Sequence, residues 1–204
     1  MNEPTTALTD FVLAAELFLF SYLTIRADTE QWSVLFWAIA LALLGLSALA
    51  GGFYHGYAPT PAVWRIVSVA IVATLGFMVA AGIVSSTEGN THLVWLLLTE
   101  VPILILIVRL LAQEQASLQV NNSRKWILII TSFLVILLHV QIYIGGPAVG
   151  NWLLAGSIII LFGIWIQQSG YSLHKHFNHN DLCHIIFMIG MYFLYRTGLL
   201  LRDR

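Results

Sequence analysis

The chain has 204 residues, 59% of them hydrophobic and 9% charged, with a net charge of −1 and a mean hydropathy of +0.85. Soluble domains carry about a quarter charged residues, so this chain cannot cover a water-facing surface and lipid must be a large part of its solvent. Near-neutral charge without a long basic run gives nucleic-acid binding no electrostatic footing, and a single cysteine, Cys183, excludes an intrachain disulfide.

A helix needs roughly 20 apolar residues to cross about 30 Å of hydrocarbon. The first segment of that kind runs over about 8–25. Its start, MNEPTTALTD, is acidic and no cleavage site follows the apolar run, so it reads as a retained helix and not as a signal peptide. RADTEQWS separates it from the second, 34–54. YAPTP, with Pro59 and Pro61, ends the second and starts the third, 62–84. STEGNTH leads to the fourth, 93–111, and QEQASLQVNNSRK to the fifth, 126–144. GGPAVGN makes a tight turn into the sixth, 149–167, and QQSGYSLHKHFNHN precedes the seventh, 181–201. Trp32, Trp64, Trp95, Trp126 and Trp152 fall near span ends, where amphipathic rings prefer to sit. With no internal repeat or linker, the expected fold is all-α: one domain over 1–204, a bundle of seven transmembrane helices.

An odd number of spans puts the termini on opposite sides. On the N-terminal side, side A, lie Arg65, Arg109, Arg124, Lys125 and Lys175; on side B lie Arg26, Arg202 and Arg204, with Arg196 if it snorkels outward. This excess favours a multi-pass protein with side A, and so the N-terminus, in the cytoplasm.

An ionisable residue inside a span is costly and marks a functional position by default. Glu16 stands in the first span, His55 ends the second, Glu100 is in the fourth, His139 in the fifth, and Asp181 and His184 open the seventh. The second span runs from B to A and the seventh from A to B, so His55, Asp181 and His184 share the side-A level. Asp181 and His184 are three apart on one helical face, with His179 just before them. Two imidazoles and a carboxylate make a facial set of the kind that holds catalytic zinc. The competing reading is plainer: Asp181 caps its helix and the histidines bond carbonyls. Glu16, too deep to snorkel, is either a proton-handling carboxylate near that site or a neutral acid bonded to a neighbouring helix. Glu100 precedes the kinking Pro102 and reads as structural, while His139 and Gln141 read as interhelical hydrogen bonders. Ser47, Gly51 and His55 share one face, where small residues admit a neighbouring backbone.

The only lysines, Lys125 and Lys175, flank spans, so a retinal Schiff base is disfavoured; no HExxH helix, GxSxG elbow or P-loop occurs. In GGFYHG and FNHNDLCHIIFMIGMYFLYRTG the chain resembles the membrane hydrolase superfamily that groups alkaline ceramidases with the progestin and adiponectin receptors. That resemblance implies seven helices and a zinc ion held by a histidine ending the second span and an HxxxH on the seventh, here matched by His55 and His184. It also implies a serine four residues before the first histidine and an aspartate on the third span. Here Gly51 and Asn180 stand at the serine and first HxxxH positions, and the third span has no aspartate.

The expected function is therefore metal-dependent hydrolysis of a lipid amide or ester. His55, His179, Asp181 and His184 are the candidate zinc ligands and Glu16 the catalytic proton relay. A non-catalytic receptor for a lipid or small ligand, and a proton-coupled carrier, are the alternatives. The expected partners are the bilayer and a lipid substrate or ligand.

Overall fold

The computed structural model describes residues 3–27, 30–88, 91–112, 147–174 and 176–204. They form six α-helices and no strand: α1 (Pro4–Ala27), α2 (Trp32–Gly56), α3 (Pro61–Ser86), α4 (Thr91–Ala112), α5 (Pro147–Ser169) and α6 (His179–Gly198). The expected fifth span, 126–144 with His139, lies outside the described residues.

Helix starts follow local chemistry. Pro opens α1, α3 and α5, where a missing N–H costs nothing. Thr60 caps α3 by accepting from the Val63 N–H at 3.3 Å. Asn178 opens α6 in a reciprocal capping box with Asp181. Gln31 gives α2 no side-chain cap; the cap arrives from the far end of the chain. Asp203 Oδ2 and Oδ1 accept from the Trp32 and Ser33 N–H groups at 2.7 and 2.8 Å. Gly170, at φ 68°, takes the left-handed conformation just after α5.

Consecutive helices pack as neighbours from α1 to α4, α5 packs on α6, and α6 closes against α1 and, less extensively, α2. Thus α1 packs against both α2 and α6. One core joins α1, α2, α3, α5 and α6 through Leu17, Trp37, Leu41, Met78, Leu153 and Leu194; a second, around Val79, Ile83 and Ile103, joins α3 to α4. Where α5 crosses α6, a carbon on Gly156 would lie 3.1 Å from the Gly190 carbonyl oxygen, so hydrogen side chains let the backbones meet.

Five helical stretches are long and apolar enough to cross a membrane: Pro4–Ala27, Trp32–Gly56, Pro61–Ser86, Leu93–Ala112 and Ala148–Ser169. They are compatible with a multi-pass membrane protein, and the outward Leu93, Leu97, Leu98, Leu104 and Val108 of α4 suit a lipid-facing surface. The last helix is not among the five, because its first two turns carry His179, Asn180, Asp181 and His184.

Candidate functional site

The start of α1, the end of α2 and the start of α6 meet at one end of the molecule. Seven polar residues gather there: Glu3, Thr9, Asp10, His55, Asn178, Asp181 and His184. The expected convergence of His55 and His184 is present, since the two imidazoles lie within electrostatic reach of each other.

His55 ends α2 with its Nδ1 2.6 Å from Glu3 Oε2, and the Glu3 N–H donates to the His55 carbonyl at 3.2 Å. The beginning of the chain is thereby tied to the end of α2 through side chain and backbone together. His184, on the second turn of α6, is held by α1. Its Nδ1 is 2.9 Å from Thr9 Oγ1, and its Nε2 is 3.4 Å from Asp10 Oδ1, an ion-pair separation. With the imidazole proton on Nε2 the Nδ1 lone pair faces the Thr9 hydroxyl, and with it on Nδ1 the ring donates to Thr9 instead.

Asp10 is 4% exposed, and its Oδ2 has no hydrogen-bond partner among the described residues. Room for it comes from α2: a carbon on Gly51 would lie 3.1 Å from each Asp10 oxygen. The small residue at Gly51, expected to admit a neighbouring backbone, admits this carboxylate instead.

Asp181 is fully buried and performs the capping expected of it. Its Oδ2 accepts from the Asn178 N–H at 2.7 Å, and Asn178 Oδ1 accepts from the Asn180 and Asp181 N–H groups. Its Oδ1 is left without a hydrogen-bond partner among the described residues, and it acts electrostatically on both Asp10 and His184. Asn178 Nδ2 also donates to Thr6 Oγ1 at 3.3 Å, and Gln167 Nε2 donates to Asn180 Oδ1 at 3.1 Å, so α1, α5 and α6 are stitched by side-chain bonds. Buried polar groups in this density are costly unless satisfied.

The other expected residues fall elsewhere. His179 is the half-buried first residue of α6. Glu16 lies six residues beyond Asp10 on α1, about 9 Å along the axis. Its Oε2 is buried without a hydrogen-bond partner among the described residues. Glu100 packs toward Gly76 on α3, and Ser47 donates to the Val67 carbonyl at 3.2 Å.

Whether these residues fit zinc is decided by how the donors are spent. His55 Nδ1 faces Glu3, both His184 nitrogens face α1, and one Asp181 oxygen is committed to the cap. Among the described residues, no group of three or more His, Cys, Asp or Glu side chains is arranged to hold a metal ion. The donor set does not fit a zinc ion.

Asp10, Thr9 and Glu3 join the site in addition to the residues expected from the sequence. The available signal was Asp10 itself: an acid inside the expected first span, at its side-A end, level with His55.

No curated protein and no solved structure matches the chain. Residues 5–203, nearly the whole length, match one family, so the chain belongs to the family of unknown function DUF6962.

Proposed function

We propose that the chain is a seven-helix membrane protein that hydrolyses a lipid ester or amide at the side-A end of α1, α2 and α6. The observation that carries this reading is the line Thr9–His184–Asp10: hydroxyl, imidazole and carboxylate in sequence, at 2.9 and 3.4 Å. A general base must lie within about 2.6–3.2 Å of the group whose proton it takes, and His184 Nδ1 meets that condition. Asp10 orients the ring and stabilises the imidazolium that forms. The surrounding apolar helices suit an acyl chain, while the polar cluster suits the carbonyl and headgroup. The resemblance to membrane hydrolases supports the same placement, with the carboxylate of Asp10 filling the space opposite Gly51 in place of the serine. The excess of Arg and Lys on side A supports a cytoplasmic site.

The test is release of fatty acid from a panel of lipid esters and amides by detergent-purified full-length protein returned to liposomes. Release that disappears in His184→Ala is expected. A panel on which the folded wild-type protein releases nothing overturns the reading.

A second reading, a proton-coupled carrier, is favoured by Glu16 and Glu100, whose buried oxygens without hydrogen-bond partners among the described residues stand at other depths. It requires proton uptake into liposomes that is lost in Glu16→Gln, and equal uptake in both proteins removes it.

A further inference from the structure

We infer that Thr9 is the nucleophile of this hydrolysis and carries the acyl group as an ester between two half-reactions, an assignment that rests on the hydrolase reading. The resemblance implies a zinc site with a serine on the second span and no role for a threonine on the first. The geometry supplies a different attacking group. Thr9 Oγ1 is the hydroxyl in contact with His184, and it lies on the imidazole nitrogen opposite the one that faces Asp10. A nucleophile bonded to a base that is in turn oriented by a third group is the general signature of covalent catalysis.

Neighbouring residues fit the role. The Thr9 hydroxyl has one proton and two acceptors, the Thr6 carbonyl at 3.0 Å and His184 Nδ1 at 2.9 Å. Held by the first, it is an ordinary helix back-bond; held by the second, it is activated. Thr6 itself is buried and its Oγ1 is engaged by Asn178, which fixes that turn of α1. Thr9 is only half-buried, whereas Thr6 and Asp10 on either side of it are closed off. Of the two hydroxyls engaged by the polar cluster, Thr6 and Thr9, Thr9 is therefore the more open to an incoming carbonyl carbon.

The steps balance. Thr9 Oγ1 bonds to the carbonyl carbon as its proton passes to His184 Nδ1. The carbon–oxygen or carbon–nitrogen bond of the leaving group breaks, and His184 returns the proton to the departing alcohol or amine. Water then attacks the Thr9 ester, His184 takes its proton, the free acid leaves, and Thr9 Oγ1 recovers the proton. Nothing is oxidised or reduced.

An alkyl fluorophosphonate tests this directly, because it reacts with an activated hydroxyl, forming a phosphorus–oxygen bond and releasing fluoride. Full-length protein in detergent is treated and the modified residue located by peptide mass spectrometry, alongside the lipid panel. The expected result is one adduct on Thr9, absent in Thr9→Ala and in His184→Gln and kept in Thr9→Ser, with lipid turnover following the same pattern. Turnover that survives in Thr9→Ala but not in His184→Gln overturns the nucleophile and leaves the hydrolase reading standing. A wild-type protein with no turnover removes the hydrolase reading, and the labelling then decides Thr9 alone. A His184-dependent adduct supports the activated hydroxyl, and no adduct at Thr9 overturns it.

Discussion

Gly51 and Asp10 face each other so closely that a side-chain carbon on Gly51 would lie 3.1 Å from both carboxylate oxygens. Asp10 in turn reaches His184 at 3.4 Å, with little room to lose. Gly51→Ala should therefore displace the carboxylate by a few tenths of an ångström and disturb its contact with the imidazole. Overpacking of this kind costs about 1–3 kcal/mol, visible as a lower melting temperature in detergent. Turnover should fall further than stability alone explains. Gly51→Ser should be milder, because its hydroxyl can donate to Asp10. An alanine variant that melts and turns over like the wild type would remove Gly51 as the space-maker.

The final residues form the missing cap of α2. Asp203 accepts from two N–H groups at that helix start, and its own N–H donates to Gln31 Oε1 at 2.7 Å. A negative charge there also suits the positive end of the helix dipole. Asp203→Ala should lower stability by about 0.5–2 kcal/mol, the range for losing an N-cap, and Asp203→Asn should fall between it and the wild type. Thermal unfolding of the three proteins in one detergent decides the order, and an unchanged alanine variant would sink the idea.

Hydropathy read the helices well because span length and proline punctuation are local properties. The expected 62–84 became Pro61–Ser86 and the expected 34–54 became Trp32–Gly56. The shared level of His55 and His184 was also legible, since it needs only the direction in which each span runs. What was not legible is which side chain faces which. Packing α6 against α1 set His184 on Thr9 and Asp10, and interhelical rotation leaves no mark in a hydropathy pattern. Asp181 shows the limit from the other side: as a cap it was predictable from Asn178 and helix-start chemistry, but its buried second oxygen was not. Glu16, expected near the site, lies six residues along α1 from Asp10.

Trp37 is fully buried, and its Nε1–H donates to the Leu194 carbonyl at 2.9 Å. Its ring lies over Gly198, and a carbon at that position would collide with the indole. Two variants probe the same contact from opposite sides. Gly198→Ala should destabilise by about 1–3 kcal/mol through overpacking. Trp37→Phe removes a buried hydrogen bond and should cost about 0.5–1.5 kcal/mol. Both lie at the side-B end, far from His184, so turnover per folded molecule should hold. A loss of turnover without loss of stability would contradict that separation.

The two carboxylates beside histidines should behave differently when neutralised. The Glu3 side chain is 44% exposed, so its pair with His55 is worth about 0.2–1 kcal/mol, and Glu3→Gln should barely move the melting temperature. Asp10 is buried, and Asp10→Asn keeps the shape at that position, so stability should hold. Its effect on chemistry is the reverse. An asparagine amide can donate to His184 Nε2, which moves the ring proton to Nδ1 and turns the base toward Thr9 into a donor. Turnover should then drop by on the order of 10²–10⁴-fold, the range for losing general acid–base assistance. Melting curves and lipid turnover for Asp10→Asn and Glu3→Gln, measured side by side, separate the two roles. An Asp10→Asn protein that is stable and fully active would show that Asp10 does not set the state of His184.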